Sequence, residues 1–142
     1  MERRTTLATV RRALAVTILA SLLGTVAELV LVEHTEDLWQ LLPVVLLGLA
    51  TVTLLAAWRW PNASSLRAVQ GVMGLVIAAG ALGLWLHYRA NAEFELEMYP
   101  ALGGWPLFWK AIFGASPPSL APAAMFLIGV LGLIWSLSGE TA

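Results

Sequence analysis

Four long apolar stretches constrain this chain more than any other feature. They occupy residues 13–32, 38–58, 67–88 and 120–137. Each approaches the roughly 20 residues that a helix needs to cross the hydrocarbon layer of a bilayer. Because no water is present there to bond an open backbone, such segments cross as helices that satisfy their own hydrogen bonds. The sequence therefore predicts four transmembrane helices.

The composition excludes an ordinary soluble domain. The 142 residues are 59% hydrophobic and 12% charged, whereas soluble domains are about 45–50% apolar and about 25% charged. We interpret residues 1–142 as a single integral membrane domain surrounded by the lipid bilayer. The chain has no cysteine, which excludes thiolate metal sites and disulfides. It also has no glycine-rich phosphate loop and no basic nucleic-acid patch, so no nucleic-acid partner is expected.

The basic residues are distributed unequally between the two ends of the predicted helices. Lys and Arg in short loops favour the cytoplasmic side of a membrane. Six of the eight fall on the side of the N-terminus, namely Arg3, Arg4, Arg11, Arg12, Arg59 and Arg67, and two, Arg89 and Lys110, fall on the other. We expect an all-α, four-helix transmembrane bundle with up-down-up-down topology in a bacterial cytoplasmic (inner) membrane. Both termini are then cytoplasmic.

The one long loop, residues 89–119 between spans three and four, is predicted to form an outer cap. Structureless loops of this length are unusual in a compact domain. Residues 93–98 alternate polar and apolar as in a strand, but Glu93 and Glu97 are also four apart, as on one face of a helix, so both conformations stay open. Residues 104–114 predict a short helix. Its aromatic side chains favour a position in the outer membrane interface.

Glu28 lies about one turn inside the outer end of the first span, where a carboxylate is costly and usually faces protein or water. Helical spacing places Thr25, Gly24, Ser21 and Thr17 near the same face, and small or hydroxyl side chains favour packing of a neighbouring helix. Ser21 and Thr25 are therefore predicted to support Glu28. The functional interpretation is a proton or cation site. The structural interpretation is a paired, protonated or hydrated carboxyl group.

Two histidines, His34 and His87, are predicted at the outer ends of spans one and three. With Glu33 and Glu93 they offer imidazole and carboxylate ligands for a divalent metal such as zinc, copper or manganese. A bis-histidine haem is a second cofactor hypothesis. The alternative is a solvated acidic surface without a ligand, and Arg89 and Glu93 have the spacing of a surface ion pair.

In its size, its four spans and the carboxylate of Glu28, the chain resembles the small multidrug resistance transporters. That resemblance implies a dimer in which Glu28 exchanges protons for cations. The chain departs from the family because Glu28 lies near the outer end of its span and because residues 89–119 separate the last two spans. The resemblance does not establish membership.

The leading hypothesis is an accessory or binding membrane protein. In it, Glu28, Glu33, His34, His87 and residues 93–97 form an outward-facing polar pocket for a cation or a partner protein. The second hypothesis is a small oligomeric transporter or channel that uses Glu28. The third is a membrane-embedded metal- or haem-dependent enzyme or subunit, which requires a cleft that lipid can reach. The cytoplasmic side is too small to hold an enzyme domain. Glycines in spans three and four suit either internal packing, a homo-oligomer or a larger membrane complex.

Overall fold

The computed structural model describes residues 2–33, 38–113 and 120–138, and these form five α-helices without a strand. The helices are α1 (Glu2–Leu31), α2 (Leu38–Arg59), α3 (Ala63–Met98), α4 (Gly104–Ile112) and α5 (Leu120–Leu137). By length and composition, α1, α2, α3 and α5 are each able to cross a membrane. The predicted all-α fold with four such helices is confirmed.

The four long helices pack as a ring around an apolar core. Helix α3 packs against α5 and α2, and α1 packs against both α2 and α5. Each helix presents one stripe of side chains to the centre, and the largest fully buried ones include Ile18, Leu22, Leu47, Leu54, Met73 and Val76. The opposite faces of the same helices carry exposed Leu and Val side chains. Apolar side chains on both faces are typical of helices surrounded by lipid.

Glycines bring α3 and α5 into close contact. A Cβ atom built on Gly80 would lie 2.7 Å from the backbone nitrogen of Phe126 and 2.7 Å from the carbonyl oxygen of Pro122. A Cβ atom on Gly129 would lie 2.8 Å from the carbonyl oxygen of Met73. Small residues allow helix backbones to approach in this way. Glycines of the third and fourth spans therefore serve internal packing at these positions.

Helix α3 begins at a well-defined cap and extends far beyond the predicted third span. The side chain of Asn62 accepts hydrogen bonds from the backbone N–H groups of Ser64 and Ser65, at 3.0 and 2.9 Å. The Ser65 hydroxyl accepts one from the backbone N–H of Asn62 at 3.1 Å, which completes a capping box. At its other end α3 continues to Met98. Residues 93–98 are thus helical, which decides between the two conformations that their pattern allowed.

Helix α4 confirms the short helix predicted within residues 104–114 and packs against the extension of α3. The side-chain amide of Asn91 donates a hydrogen bond to the carbonyl oxygen of Ala111 at 2.9 Å. The Lys110 ammonium lies 3.3 Å from a carboxylate oxygen of Glu95 and 3.7 Å from the centre of the Tyr99 ring. The hydrogen bond and the ion pair join α4 to α3, and the cation–π contact joins α4 to Tyr99, directly after α3. The side chain of Ala111 is fully buried.

Candidate functional site

A cavity of about 600 Å³ lies among the end of α1, the start of α2, the second half of α3 and the start of α5. We call it the Glu28 cavity. Its volume is within the range of small-molecule sites in proteins, about 300–1,000 Å³. Most of its lining is apolar and aromatic, including Leu29, Trp39, Pro43, Leu82, Leu86, Pro122 and Met125. Such a lining favours ligands with an apolar body.

Three polar side chains line this cavity, one from each of three helices. They are Glu28 from α1, Gln40 from α2 and His87 from α3. All three are partly buried. Within the described part of the chain, no residue forms a hydrogen bond or ion pair with the Glu28 carboxylate. The cavity therefore places the Glu28 carboxylate in the same lining as the Gln40 amide and the His87 imidazole, which have interactions of their own.

Helix packing places these three side chains at one end of the bundle. Thr25 and Leu29 near the end of α1 are each 5% exposed, so one face of its final turns packs against the core. Glu28 lies beside Leu29 and about one turn after Thr25. In α3, Gly83 approaches the ring of Pro122, which brings the last turns of α3 close to the start of α5. His87 follows Gly83 by one helical turn, and both line the cavity.

The small and polar stripe predicted beside Glu28 divides between two faces of α1. Thr25 is buried and Ser21 is partly buried, so both lie on the side toward the bundle. Thr17 and Gly24 are exposed, and no other part of the described structure lies within 4 Å of a Cβ atom built on Gly24. Neither Ser21 nor Thr25 is among the residues that line the Glu28 cavity, and their support of Glu28 stays a prediction.

Of the four predicted metal ligands, the structure describes Glu33, His87 and Glu93, and these three do not form a group that could hold a metal ion. His87 lines the cavity, whereas Glu33 and Glu93 are not among its lining residues and are exposed. Glu93 accepts a hydrogen bond from the Arg89 guanidinium at 2.8 Å, four residues earlier in α3, as its spacing allowed. His34 lies outside the described residues. Within the described ranges, no group of three or more His, Cys, Asp or Glu side chains is arranged to hold a metal ion.

Neither Gln40 nor the apolar lining of this cavity was predicted from the sequence. Gln40 is a neutral amide just inside an apolar span, at the same end of the bundle as Glu28. A polar side chain at that position was the sequence feature that could have predicted it as a site residue. Pro43 is the sixth residue of α2 and Pro122 the third residue of α5, close to the helix starts, where a missing N–H group costs little. Their side chains also form part of the cavity wall.

Comparisons with protein-family models, with curated proteins and with solved structures find no match to this chain.

Proposed function

We propose that this protein crosses a bilayer four times with up-down-up-down topology, and that the Glu28 cavity binds a small organic cation with an apolar body. The ends of α1 and α3 and the starts of α2 and α5 line one cavity, an arrangement in which neighbouring spans run in opposite directions. The excess of arginine at the other end supports a cytoplasmic location for both termini. The cavity then opens toward the outer side of the membrane.

Helix α4 has the features of a helix that lies in the outer interface. Trp105, Trp109 and Phe113 follow one another at a spacing of four residues and are 70%, 52% and 75% exposed. The rings of Trp105 and Trp109 stack with centres 6.3 Å apart, and those of Trp109 and Phe113 with centres 5.5 Å apart. Tryptophan is enriched at membrane interfaces, where an amphipathic ring meets both lipid and water. This row supports the proposed orientation of the bundle.

A single carboxylate in an apolar cavity carries the ligand proposal. Glu28 is the acidic side chain of the lining, and Trp39 lies in the same wall. A carboxylate in a poorly hydrated site is stabilised by an opposite charge, and an aromatic ring also attracts a cation. A cation with apolar substituents forms an ion pair with the carboxylate, and its substituents occupy the apolar remainder of the cavity. A bare divalent metal suits this lining less well because it needs several polar ligands.

The packing between the two ends of the bundle favours binding over conduction. Below the Glu28 cavity, large apolar side chains from α1, α2 and α3 meet with almost no exposed surface, among them Ile18, Leu22, Leu54 and Met73. A transporter or channel requires this layer to open. A binding or accessory role requires no such rearrangement, so we favour it. The alternative is a transporter or channel that moves cations by way of the Glu28 carboxylate.

The test is a binding titration of the purified protein in mild detergent with tetraphenylphosphonium, whose positive charge is independent of pH. Wild-type protein is compared with Glu28→Gln, which keeps the shape of the side chain and removes its charge. We expect Glu28→Gln to weaken binding about tenfold or more, the equivalent of about 1.4 kcal/mol. Binding of neutral triphenylphosphine oxide should change little, because it makes no ion pair with Glu28.

A second carboxylate provides the matched control. Glu97 is exposed on the extension of α3 and lies outside the cavity lining. Glu97→Gln removes one charge from the same side of the membrane and should leave the affinity unchanged. Equal losses of affinity in Glu28→Gln and Glu97→Gln would mean that the net negative charge of this end of the protein attracts the cation. That result would contradict the proposed site. Flux of the cation in proteoliposomes that disappears in Glu28→Gln would favour the transporter instead.

A further inference from the structure

A second cavity lies at the opposite end of the bundle and contains arginine and tryptophan. It has a volume of about 310 Å³ and is lined by Ala8, Arg11 and Arg12 of α1, Trp58 of α2 and Trp135 of α5. We call it the Arg11 cavity. In the sequence, Arg11 and Arg12 indicated only the orientation of the bundle. No part of the proposed cation site uses them.

The Arg11 side chain is held in place by the ring beneath it. The guanidinium carbon of Arg11 lies 4.7 Å from the centre of the Trp135 ring, and Trp135 itself is 2% exposed. A planar guanidinium over an aromatic face gains cation–π energy and keeps its N–H groups directed outward from the stack. The side chain is thereby preorganised before any ligand arrives.

One donor of this guanidinium lacks an acceptor. The Nε atom of Arg11 is buried and forms no hydrogen bond with any residue that the structure describes. A buried donor without a partner carries a desolvation cost that a suitable acceptor removes. The acceptor that best matches the fork of a guanidinium is a carboxylate or a phosphate, which takes two parallel hydrogen bonds.

Among the side chains that the structure describes, those of residues 5–33, 38–113 and 120–138, the charged ones at this end of the bundle are positive. Arg11 and Arg12 line the cavity, and Arg59 and Arg67 lie near the end of α2 and the start of α3. The carboxylates among those side chains belong to the end of α1 and to the extension of α3, at the other end of the bundle, and Glu2 is the first residue of α1, nine positions before Arg11. An anion in the Arg11 cavity therefore meets two guanidinium groups and little repulsion from the described side chains.

We infer that the Arg11 cavity binds the phosphate headgroup of an anionic phospholipid. Val10 on α1 and Leu55 on α2 lie within one turn of lining residues and are 59% and 47% exposed, so apolar surface for acyl chains adjoins the cavity. Basic pockets between transmembrane helices on the cytoplasmic side suit lipid headgroups. The inference depends on the membrane-spanning arrangement and is independent of the ligand in the Glu28 cavity.

Native mass spectrometry of the protein in mild detergent tests this site, with phosphatidylglycerol and phosphatidylcholine added in separate titrations. Wild-type protein should retain phosphatidylglycerol in preference to phosphatidylcholine. Arg11→Gln should weaken that retention about tenfold or more. Arg67→Gln is the matched control, because Arg67 lies at the same end, is exposed and bonds to the Ala63 carbonyl oxygen of its own helix. It should leave retention unchanged.

A replacement variant and a titration with inorganic phosphate complete the test of the lipid site. If Arg11→Gln fails to fold, Arg12→Gln takes its place, since Arg12 is exposed at the cavity and its loss leaves the Trp135 stack intact. Equal retention of both lipids, or equal losses in Arg67→Gln and the cavity variants, would overturn the inference. Binding of inorganic phosphate by wild-type protein that retains no phosphatidylglycerol would identify the ligand as a free anion and would also overturn it. A normal cation titration alongside lost lipid retention separates this site from the Glu28 cavity.

Discussion

Substitution of Gly80 by alanine tests the close contact between α3 and α5. The new methyl group would lie 2.7 Å from backbone atoms of Phe126 and Pro122, whereas ordinary contact begins at 3.4 Å, so the helices must separate there by about 0.7 Å. A gap of 0.5–1 Å forfeits roughly a quarter to a half of each dispersion contact along the interface. Backbone atoms cannot rotate away as a side chain does. We therefore expect Gly80→Ala to lower the free energy of unfolding by about 1–3 kcal/mol, the usual cost of overpacking.

Gly74 on the same helix provides the matched control, since nothing lies within 4 Å of a Cβ atom built there. Gly74→Ala should be neutral, or stabilising by up to about 1 kcal/mol, because alanine is the better helix former. The assay is a titration with sodium dodecyl sulfate in mixed micelles, followed by far-ultraviolet circular dichroism. Equal stability of Gly80→Ala and Gly74→Ala would refute the proposed contact.

Three further substitutions test local features by the same titration or by hydrogen exchange. Asn62→Ala removes the acceptor of two N–H groups at the start of α3 and should cost about 1 kcal/mol; an unchanged free energy of unfolding would contradict the cap. Asn91→Ala removes the hydrogen bond to Ala111 and should speed amide hydrogen exchange in α4 without affecting exchange in α2. Unchanged exchange in α4 would mean that the contacts of Lys110 and Ala111 are enough to hold α4 in place. Glu33 has a φ of 55° after the end of α1, so Glu33→Gly should stabilise the protein by about 1 kcal/mol; a loss of stability would point to a structural role for its carboxylate.

The long apolar segments made the four major helices predictable, because length and composition alone determine that such segments form helices in lipid. The predicted ends were less accurate where polar residues continue a helix. Helix α1 begins at Glu2 and α3 continues to Met98, well outside the apolar stretches. An alternating pattern such as that of residues 93–98 fits a short strand as well as a helix, and the ion pair between Arg89 and Glu93 acts only once the helix has formed.

The candidate sites were predictable in part. Glu28 was identifiable because a carboxylate inside an apolar span is unusual, and the end of the bundle that holds His87 followed from the order of the spans. The role of Gln40 and the stack of Arg11 on Trp135 depend on which faces of α1, α2 and α5 meet. Composition and spacing do not determine that rotation, because these helices are apolar on nearly every face.

The most direct measurement of the central claim is a crystal structure grown from a lipid phase with tetraphenylarsonium, whose arsenic atom is located by its anomalous scattering. We expect one arsenic position between Glu28 and Trp39 in the Glu28 cavity, and no such position in Glu28→Gln. An arsenic atom elsewhere in the wild-type protein, or an unchanged position in Glu28→Gln, would contradict a site built around that carboxylate.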